Sequence, residues 1–226
     1  MNVLRKDSFR VASAALFFAF SLTLIACNKQ NASQPSAQTS QPSAQVQTPQ
    51  PAPAPAAPAI PAGWSVVSSS KGGFTIAFPK NLDGKETDPS ATGLTPGIRF
   101  SLDVPDTYEP KTNFGGATLT VGASGDKDDV AQCMKQTDSD VDPVAPKNVV
   151  LNGAPFTVYS YTNMGCGNEG DTTSYRILRA GKCVKVEYTI QSANLGNYDP
   201  SQHMHAYDSG KITALLESIV ATFKFQ

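Results

Sequence analysis

The chain has 226 residues, with 18 lysines and arginines against 19 aspartates and glutamates, and it contains only two histidines. Its near-zero net charge excludes the broad basic surface that non-specific nucleic-acid binding requires, so we expect no nucleic-acid partner. The aromatic share of 8% and the charged share of 16% are low for a globular protein, which indicates that part of the chain lies outside a packed core.

Residues 1–26 have the organisation of a bacterial export signal. A basic start is followed by an apolar run from Val11 to Ala26, which is too short for a stable transmembrane helix. The run ends in Leu24-Ile25-Ala26-Cys27, which resembles the lipobox of bacterial lipoproteins. The resemblance implies cleavage before Cys27 and acylation of that residue, so that several acyl chains anchor the protein in a membrane. A plain secretory signal with an incidental cysteine is the alternative.

The residues after Cys27 predict where the protein resides and how its domain is attached. In enteric-type sorting an Asp after the cysteine retains lipoproteins at the inner membrane. Asn28 stands there instead, so the resemblance implies the outer membrane of a Gram-negative-type bacterium, facing the periplasm or the exterior. Residues 27–62 consist almost entirely of Pro, Ala, Gln, Ser and Thr, which predicts a disordered linker. Residues 63–226 are long enough to form one globular domain.

Within residues 63–226, several segments alternate apolar and polar residues with the period of two that is typical of half-buried strands. The alternation covers Phe74–Phe78, Ile98–Val104, Leu119 with Val121, Phe156–Tyr161 and Val184–Ile190. Residues 173–179 and 182–191, separated by Ala180-Gly181, predict a β-hairpin. Because the predicted strands follow one another directly, we expect a largely antiparallel sheet.

The last segment of the chain changes to a helical period. Its apolar residues form one stripe at spacings of three and four, and they are Ile212, Leu215, Leu216, Ile219, Val220 and Phe223. Asp208 or Ser209 is the predicted N-cap. A shorter helix is predicted over Lys127–Lys135, with Asp126 at its start. Strands closed by a C-terminal amphipathic helix predict an α+β fold.

Both ends of this domain carry a family resemblance. The opening Lys-Gly-Gly-Phe-Thr-Ile-Ala-Phe-Pro at 71–79 and the closing Ile-Val-Ala-Thr-Phe-Lys-Phe at 219–225 resemble the borders of PsbP/Mog1-like domains. Four interior motifs are similar to those of a group of uncharacterised secreted or lipidated bacterial proteins, and they are Gly167-Asn168, Ser174-Tyr175-Arg176, Gly181-Lys182-Cys183 and Asn194-Leu195-Gly196-Asn197-Tyr198. The resemblance implies an α/β sandwich, with the sheet flanked by helices, and no residue-level activity. Asp83–Gly97 is left unassigned.

Three cysteines remain once Cys27 is assigned to the lipid. Loop-closure entropy does not separate the pairings, because closing about 50 residues is worth roughly 4 kcal/mol and closing about 17 residues roughly 3 kcal/mol. Cys183 follows the predicted hairpin turn, whereas Cys166 precedes the strand that leads into it. Unless the loop folds back, these two cysteines therefore lie about 20 Å apart, and a disulfide needs Cα atoms within about 7 Å. We predict a Cys133–Cys183 disulfide and a free thiol at Cys166; the resembling group also has cysteines at positions 133 and 183.

The acidic stretch over residues 126–142 contains oxygen ligands of the kind that Ca²⁺ prefers. The aspartates are Asp126, Asp128, Asp129, Asp138, Asp140 and Asp142. Pro143 and Val149 occupy the positions at which the EF-hand pattern requires Gly and Glu. We therefore expect a solvated acidic loop, with Ca²⁺ binding as the alternative.

His203 and His205 are the only pair with the spacing of metal ligands. On an extended segment, positions i and i+2 would project both imidazoles to one side, and Asp199 and Asp208 lie nearby. A Zn²⁺ site would need a further ligand from a carboxylate or from Cys166. Surface histidines are the default expectation, and a metal-binding or metal-dependent periplasmic protein is one alternative function.

We expect a non-enzymatic envelope lipoprotein without a cofactor, whose domain is a binding or accessory module. The two histidines lie in one short stretch, and no Gly-x-Ser-x-Gly, Walker or Rossmann glycine pattern occurs. The aspartates and glutamates are scattered and form no catalytic motif, so a hydrolase that uses a pair of carboxylates stays an alternative. The expected partners are the membrane, through the lipid, and a protein or other envelope component. Candidate contact residues are Tyr159, Tyr161, Tyr175 and Tyr198, and packing of their rings on the sheet, with the hydroxyls at the tips, explains them equally well. A purely structural tether between membrane and wall is a further alternative.

Overall fold

The computed structural model describes residues 59–87, 97–135 and 144–226. The predicted signal peptide, Cys27 and most of the predicted linker lie outside this part of the chain, as do Asp138, Asp140 and Asp142. Across the three described ranges, no helix has both the length and the apolar character needed to cross a membrane.

The described residues form ten β-strands and two α-helices. The strands are β1 (Trp64–Ser69), β2 (Phe74–Pro79), β3 (Asp83–Glu86), β4 (Ile98–Val104), β5 (Phe114–Ser124), β6 (Lys147–Leu151), β7 (Ala154–Gly165), β8 (Asn168–Arg179), β9 (Lys182–Ala193) and β10 (Lys224–Phe225). The helices are α1 (Lys127–Gln132) and α2 (Ser209–Val220). One sheet has seven strands in the order β3-β4-β5-β9-β8-β7-β6, and the other has three in the order β1-β2-β10. All of these strand pairs are antiparallel, which confirms the predicted sheet type.

The predicted hairpin is the β8–β9 pair at the middle of the seven-stranded sheet. Its two turn residues, Ala180 and Gly181, have φ values of 49° and 73°. Positive φ at both central positions is the geometry of a type I′ turn, whose twist matches that of the flanking strands. Glycine adopts this conformation without strain, whereas Ala180 does so at a cost that the long strand pairing offsets.

The core lies between one face of the seven-stranded sheet, called the inner face, and a layer made by the three-stranded sheet and α2. The alternation in β9 produces this burial, because Val184, Val186, Tyr188 and Ile190 point into the core. The residues between them point to the opposite side, which we call the outer face. The sequence pattern therefore predicted correctly which side of β9 is buried.

Helix α2 buries the predicted stripe and begins where its cap was predicted. The Asp208 side chain accepts a hydrogen bond from the backbone N–H of Lys211 at 3.0 Å. The helix ends at Val220, however, so Phe223 follows the helix instead of lying within it. Beyond this end, the Thr222 hydroxyl accepts a hydrogen bond from the backbone N–H of Ala77 in β2 at 2.8 Å. Phe223 is then turned into an aromatic cluster, whose other rings are those of Phe74, Phe156 and Phe225.

The helix predicted over Lys127–Lys135 is shorter in the structure than the sequence predicts. Helix α1 ends at Gln132, where Lys135 was predicted, and Asp126 caps it by accepting from the N–H groups of Asp128 and Asp129 at 2.9 and 3.4 Å. Asp126 thus has a structural role in the acidic stretch. The prediction of an α+β fold is confirmed, but the described residues contain only two α-helices. The expected flanking by helices is therefore limited to α2 on the inner face and α1 beside the outer face.

Candidate functional site

The outer face of the seven-stranded sheet carries rows of polar side chains that the strand register sets. Thr118 of β5 pairs with Thr189 of β9, which pairs with Thr172 of β8. The hydroxyl oxygens of Thr172 and Thr189 lie 2.8 Å apart. In the adjacent row, Thr120 pairs with Glu187. One face of the central strands is therefore lined with hydroxyl and charged groups.

A disulfide fixes the segment that follows α1 onto this outer face. Cys133, directly after the helix, is bonded to Cys183 of β9, with Cα atoms 5.6 Å apart. This confirms the predicted pairing. Further along the same segment, the buried Arg176 donates from Nη1 to the carbonyl oxygen of Lys135 at 2.9 Å and from Nε to the Ser174 hydroxyl at 2.9 Å. The segment thus covers parts of β8 and of the neighbouring β7 and leaves a cavity over β5 and β9 open.

Two of the four tyrosines predicted as contact residues are buried, so that prediction is wrong for them. Tyr159 is 4% exposed, its hydroxyl donates to the carbonyl oxygen of Met134 at 2.7 Å, and its ring lies 4.5 Å from the Arg176 guanidinium. Tyr175 is 5% exposed and points into the core. Both rings pack inside the domain with their hydroxyls hydrogen-bonded, which is the usual arrangement for a buried tyrosine.

The other two tyrosines are half-buried. The Tyr161 hydroxyl on the outer face donates to Glu187 Oε2 at 3.5 Å. Burial, followed by the nearby Glu187 carboxylate, raises the pKa of Tyr161, while the Arg176 charge acts in the opposite direction. The phenol therefore stays protonated and remains a hydrogen-bond donor. Tyr198 follows the short 3₁₀-helix Leu195–Asn197.

A cavity of about 190 Å³ lies on the open part of the outer face, and we call it the outer groove. Its lining residues come from β5 and β9, and α1 contributes Asp129. The polar groups that line it are those of Thr118, Thr120, Ser124, Asp129, Lys185, Glu187 and Thr189. Gly122, which pairs with Lys185, contributes no side chain and so leaves space in the cavity.

Three charged side chains line the outer groove without pairing with one another. Among the described residues, the ion pairs are Lys85–Asp83 and Lys211–Glu109, so Asp129, Lys185 and Glu187 take part in none. Asp129 Oδ2 is buried and has no hydrogen-bond partner within the described ranges. Burial of a carboxylate oxygen without a donor is unfavourable. Lys185 and Glu187 therefore present charges that a molecule bound in the groove can reach, whereas the buried oxygen of Asp129 is closed to it.

A second polar cluster, which we call the Glu217 clamp, joins α2 to the inner face. Tyr175 donates to Glu217 Oε2 at 2.5 Å, and Tyr188 donates to Glu217 Oε1 at 2.6 Å. The pKa of both phenols is raised far above its usual range. Burial is the larger cause, and the hydrogen bond to Glu217 is the second. Both tyrosines therefore remain neutral donors to one carboxylate. The clamp fixes the position of α2 on the sheet.

The two histidines do not share one extended segment, because only His205 is extended, in a parallel β-bridge with Thr112. His203 ends the 3₁₀-helix Pro200–Gln202 with φ 50° and ψ 42°, the left-handed conformation, and both histidines are exposed. The nearby carboxylates are engaged elsewhere: Asp199 caps this 3₁₀-helix, and Asp208 caps α2. Within the three described ranges, no group of three or more His, Cys, Asp and Glu side chains is arranged to hold a metal ion.

Cys166 lies at the turn of the β7–β8 hairpin, with Gly167 as the second turn residue. Its φ of 51° and the φ of 79° at Gly167 again give a turn with two left-handed positions. Cys166 is the free cysteine among the described residues, and it is exposed. The turn is at the end of the sheet opposite to the β8–β9 turn, because the two turns close opposite ends of β8.

Sequence reasoning missed the outer groove and its charged residues. The available signal was the polar half of the alternation in β9, where Lys185, Glu187 and Thr189 separate the core residues. That pattern identifies outward-facing residues, but it does not show that β5 lies beside β9 or that Asp129 lines the same cavity. Only the register of the sheet brings these groups together.

Comparison with known proteins gives similarity to solved structures only. No protein-family model matches the chain, and no curated protein matches it. The chain is similar to cyanobacterial PsbP from Synechocystis sp. PCC 6803, with 13% identity over 73% of this chain and 94% of that chain and a TM-score of 0.40. It is also similar to the Ran-binding protein Mog1p of Saccharomyces cerevisiae, with 12% identity over 72% and 95% of the two chains and a TM-score of 0.39.

A protein of unknown function from Pseudomonas aeruginosa is similar at 12% identity, over 67% of this chain and 94% of that chain, with a TM-score of 0.34. All three TM-scores are below 0.5. The resemblance to PsbP/Mog1-like domains stays a prediction.

Proposed function

We propose that this chain is a membrane-anchored envelope lipoprotein whose C-terminal domain is a non-enzymatic binding module, with the outer groove as its binding site. The lipobox-like Leu24-Ile25-Ala26-Cys27 supports the anchor. The partner is a component of the envelope that reaches the groove from the periplasm or the exterior. The PsbP/Mog1-like character of the domain and its outer-membrane location belong to the same proposal.

One observation carries the binding role. Asp129, Lys185 and Glu187 line one cavity, and none of them forms an ion pair among the described residues. Placing charged groups in a cavity removes part of their hydration, which is unfavourable when no opposite charge is close by. A surface that serves only for folding therefore gains little from this arrangement. A binding site explains their arrangement, since a bound molecule can supply opposite charges to Lys185 and Glu187, which form no ion pair among the described residues.

The lipid anchor is tested by replacing Cys27 with serine in the full chain. We expect the wild-type protein to incorporate labelled fatty acid and to sediment with membranes, because several acyl chains together make release very slow. Cys27→Ser is expected to lose the label entirely and to be released from the membrane fraction. Cys166→Ser is the matched control and should keep both properties. A Cys27→Ser chain that still carries labelled lipid contradicts the anchor.

The binding role is tested by chemical labelling of lysines in the full chain, with and without an envelope extract of the expressing bacterium. Lys185 lines the groove, whereas Lys182, three residues earlier on the same strand, is exposed outside it. We expect the extract to slow acetylation of Lys185 severalfold and to leave Lys182 unchanged, as measured by mass spectrometry. Equal labelling of Lys185 in both conditions contradicts the proposed binding site.

A further inference from the structure

We infer that a second cavity, which we call the rim cavity, binds a phosphate monoester group, carried either by a soluble molecule or by the headgroup of a lipid. The residues that line this cavity are Asn152, Gly153, Ala154, Arg179, Lys224 and Phe225. It lies at the end of the sheet that the β8–β9 turn closes, because Arg179 is the last residue of β8. The inference goes beyond the proposed function, since the rim cavity shares no lining residue with the outer groove.

The parts of the chain that meet at the rim cavity are held together by hydrogen bonds. In the β6–β7 turn, Asn152 and Gly153 have φ values of 47° and 85°, which is again the type I′ geometry. The Asn152 side chain donates to the carbonyl oxygens of Ala221 at 2.9 Å and of Phe223 at 2.6 Å. The turn is thereby fixed against the segment that leads into β10, and β10 in turn pairs with β2. The cavity is therefore a product of the fold.

The Arg179 guanidinium is positioned by an aromatic ring. Its central carbon lies 4.1 Å from the centre of the Phe225 ring, which is a cation–π contact. The Phe225 ring is itself fixed, because it stacks on Phe156 at a centroid distance of 6.0 Å and meets Phe223 edge-on at 5.0 Å. A guanidinium that lies on a ring keeps the N–H donors along its edges available, and their planar fork matches the oxygens of a phosphate. Arg179 is therefore held ready to bind an anion.

The charges in the lining of the rim cavity are all positive. Arg179 and Lys224 supply them, and no aspartate or glutamate among the described residues lines the cavity. Neither cation takes part in an ion pair within the described ranges. Two cations that share one cavity repel each other, and an anion bound beside both of them offsets that repulsion. The rim cavity therefore favours an anionic ligand.

The charge and the size of the rim cavity favour a phosphate monoester over other anions. A monoester carries about −1.5 to −2 charges at neutral pH, which complements two cations, whereas a carboxylate or a phosphodiester carries a single charge. Its three terminal oxygens can accept hydrogen bonds from Arg179 and Lys224 together. The volume of about 340 Å³ is at the lower end of the roughly 300–1,000 Å³ of small-molecule sites, which leaves room for the esterified group. Phe225 offers apolar surface to that group.

The test measures acetylation of Lys224 by mass spectrometry in the full chain, because a bound phosphate group shields the ammonium group. Lys111, which is exposed in the loop before β5 and does not line the cavity, is the internal control. For the soluble source, the chain in detergent is labelled with glycerol 3-phosphate, with acetate or with chloride at constant ionic strength. For the lipid source, the chain is reconstituted into vesicles of phosphatidylcholine alone, or of phosphatidylcholine mixed in equal parts with phosphatidic acid or with phosphatidylglycerol.

We expect the phosphate monoester to slow acetylation of Lys224 severalfold and to leave that of Lys111 unchanged. Acetate in solution, and phosphatidylglycerol in the vesicles, should be at least about tenfold less effective because each carries a single charge. Protection by glycerol 3-phosphate in detergent shows that the site accepts a soluble ester. Protection only in vesicles that contain phosphatidic acid assigns the site to a lipid headgroup.

A matched pair of variants identifies the group that binds. Arg179→Gln removes one of the two cations and should raise the amount of monoester that half-protects Lys224 about tenfold or more. Lys80→Gln removes the same charge from an exposed residue that follows the other end of β2, and it should leave that amount unchanged. The wild-type ligand series keeps the test decisive if Arg179→Gln folds poorly.

Four results overturn the inference: neither source of the monoester protects Lys224, the single-charged control anions protect it equally well, Lys111 is slowed as much as Lys224, or Arg179→Gln is protected as the wild type is. These results are distinct from failure of the proposed function, which is tested at Lys185 in the outer groove. If an envelope extract protects Lys185 while the monoester does not protect Lys224, the binding role stands and the phosphate site is wrong.

Discussion

Replacing Cys133 and Cys183 together with serine is expected to lower the free energy of unfolding by about 4 kcal/mol. The disulfide closes a loop with a sequence separation of 50, and removing such a cross-link increases the conformational entropy of the unfolded chain by roughly this amount. Urea unfolding followed by the fluorescence of Trp64, the single tryptophan, measures the change. A loss of this size is a large part of the stability of a typical domain.

The control for this prediction is the remaining cysteine of the described domain. Cys166→Ser changes an exposed turn residue, so its stability should stay within about 0.5 kcal/mol of the wild type. Treatment of the wild type with a reductant should reproduce the loss seen in the double variant. A double variant as stable as the wild type would show that the disulfide does not constrain the unfolded chain.

Replacing Glu217 with alanine is expected to lower the free energy of unfolding by about 3 kcal/mol. The carboxylate accepts hydrogen bonds from Tyr175 and Tyr188, and each bond to a charged group contributes about 1.5 kcal/mol or more. Alanine leaves two buried phenol hydroxyls without their acceptor, and both rings are less than a tenth exposed. The same urea titration measures the loss.

Glu217→Gln is the matched variant for the Glu217 clamp. Glutamine keeps the length of the side chain and one carbonyl oxygen, so it retains an acceptor for one tyrosine but loses the charge. We expect its loss of stability to be about half that of Glu217→Ala. If the alanine variant unfolds within about 0.5 kcal/mol of the wild type, the clamp does not stabilise the packing of α2 on the sheet.

The sequence predicted those elements whose local pattern is strong. Strand β2 and the β8–β9 hairpin alternate clearly, and helix α2 has both an apolar stripe and a capping aspartate. Strands β1, β3 and β6 were not predicted. Their short runs show little alternation, and they are stabilised by pairing with neighbouring strands. That pairing is a tertiary property, which local propensity does not record.

The sequence predicts the disulfide but not the outer groove, and the difference again lies in whether local pattern is enough. The Cys133–Cys183 disulfide could be predicted, because the hairpin turn alone showed that Cys166 lies too far from Cys183. The outer groove could not be predicted, because Asp129 and Lys185 are distant in sequence. They line the same cavity only because β5 pairs with β9. The alternation also placed Tyr159 on the outer face, but it gave no sign that Met134 would cover it.

The Cys133–Cys183 bond also makes part of the chain into a covalent ring. The ring contains β6, β7 and β8, which form one edge of the seven-stranded sheet, and it spans residues 136–143 as well. A single cut by a protease between the two cysteines therefore opens the ring without releasing a fragment. Strand β9 and helix α2 remain covalently attached to the N-terminal part of the chain after such a nick. Gel electrophoresis reveals the cut only when the sample is reduced.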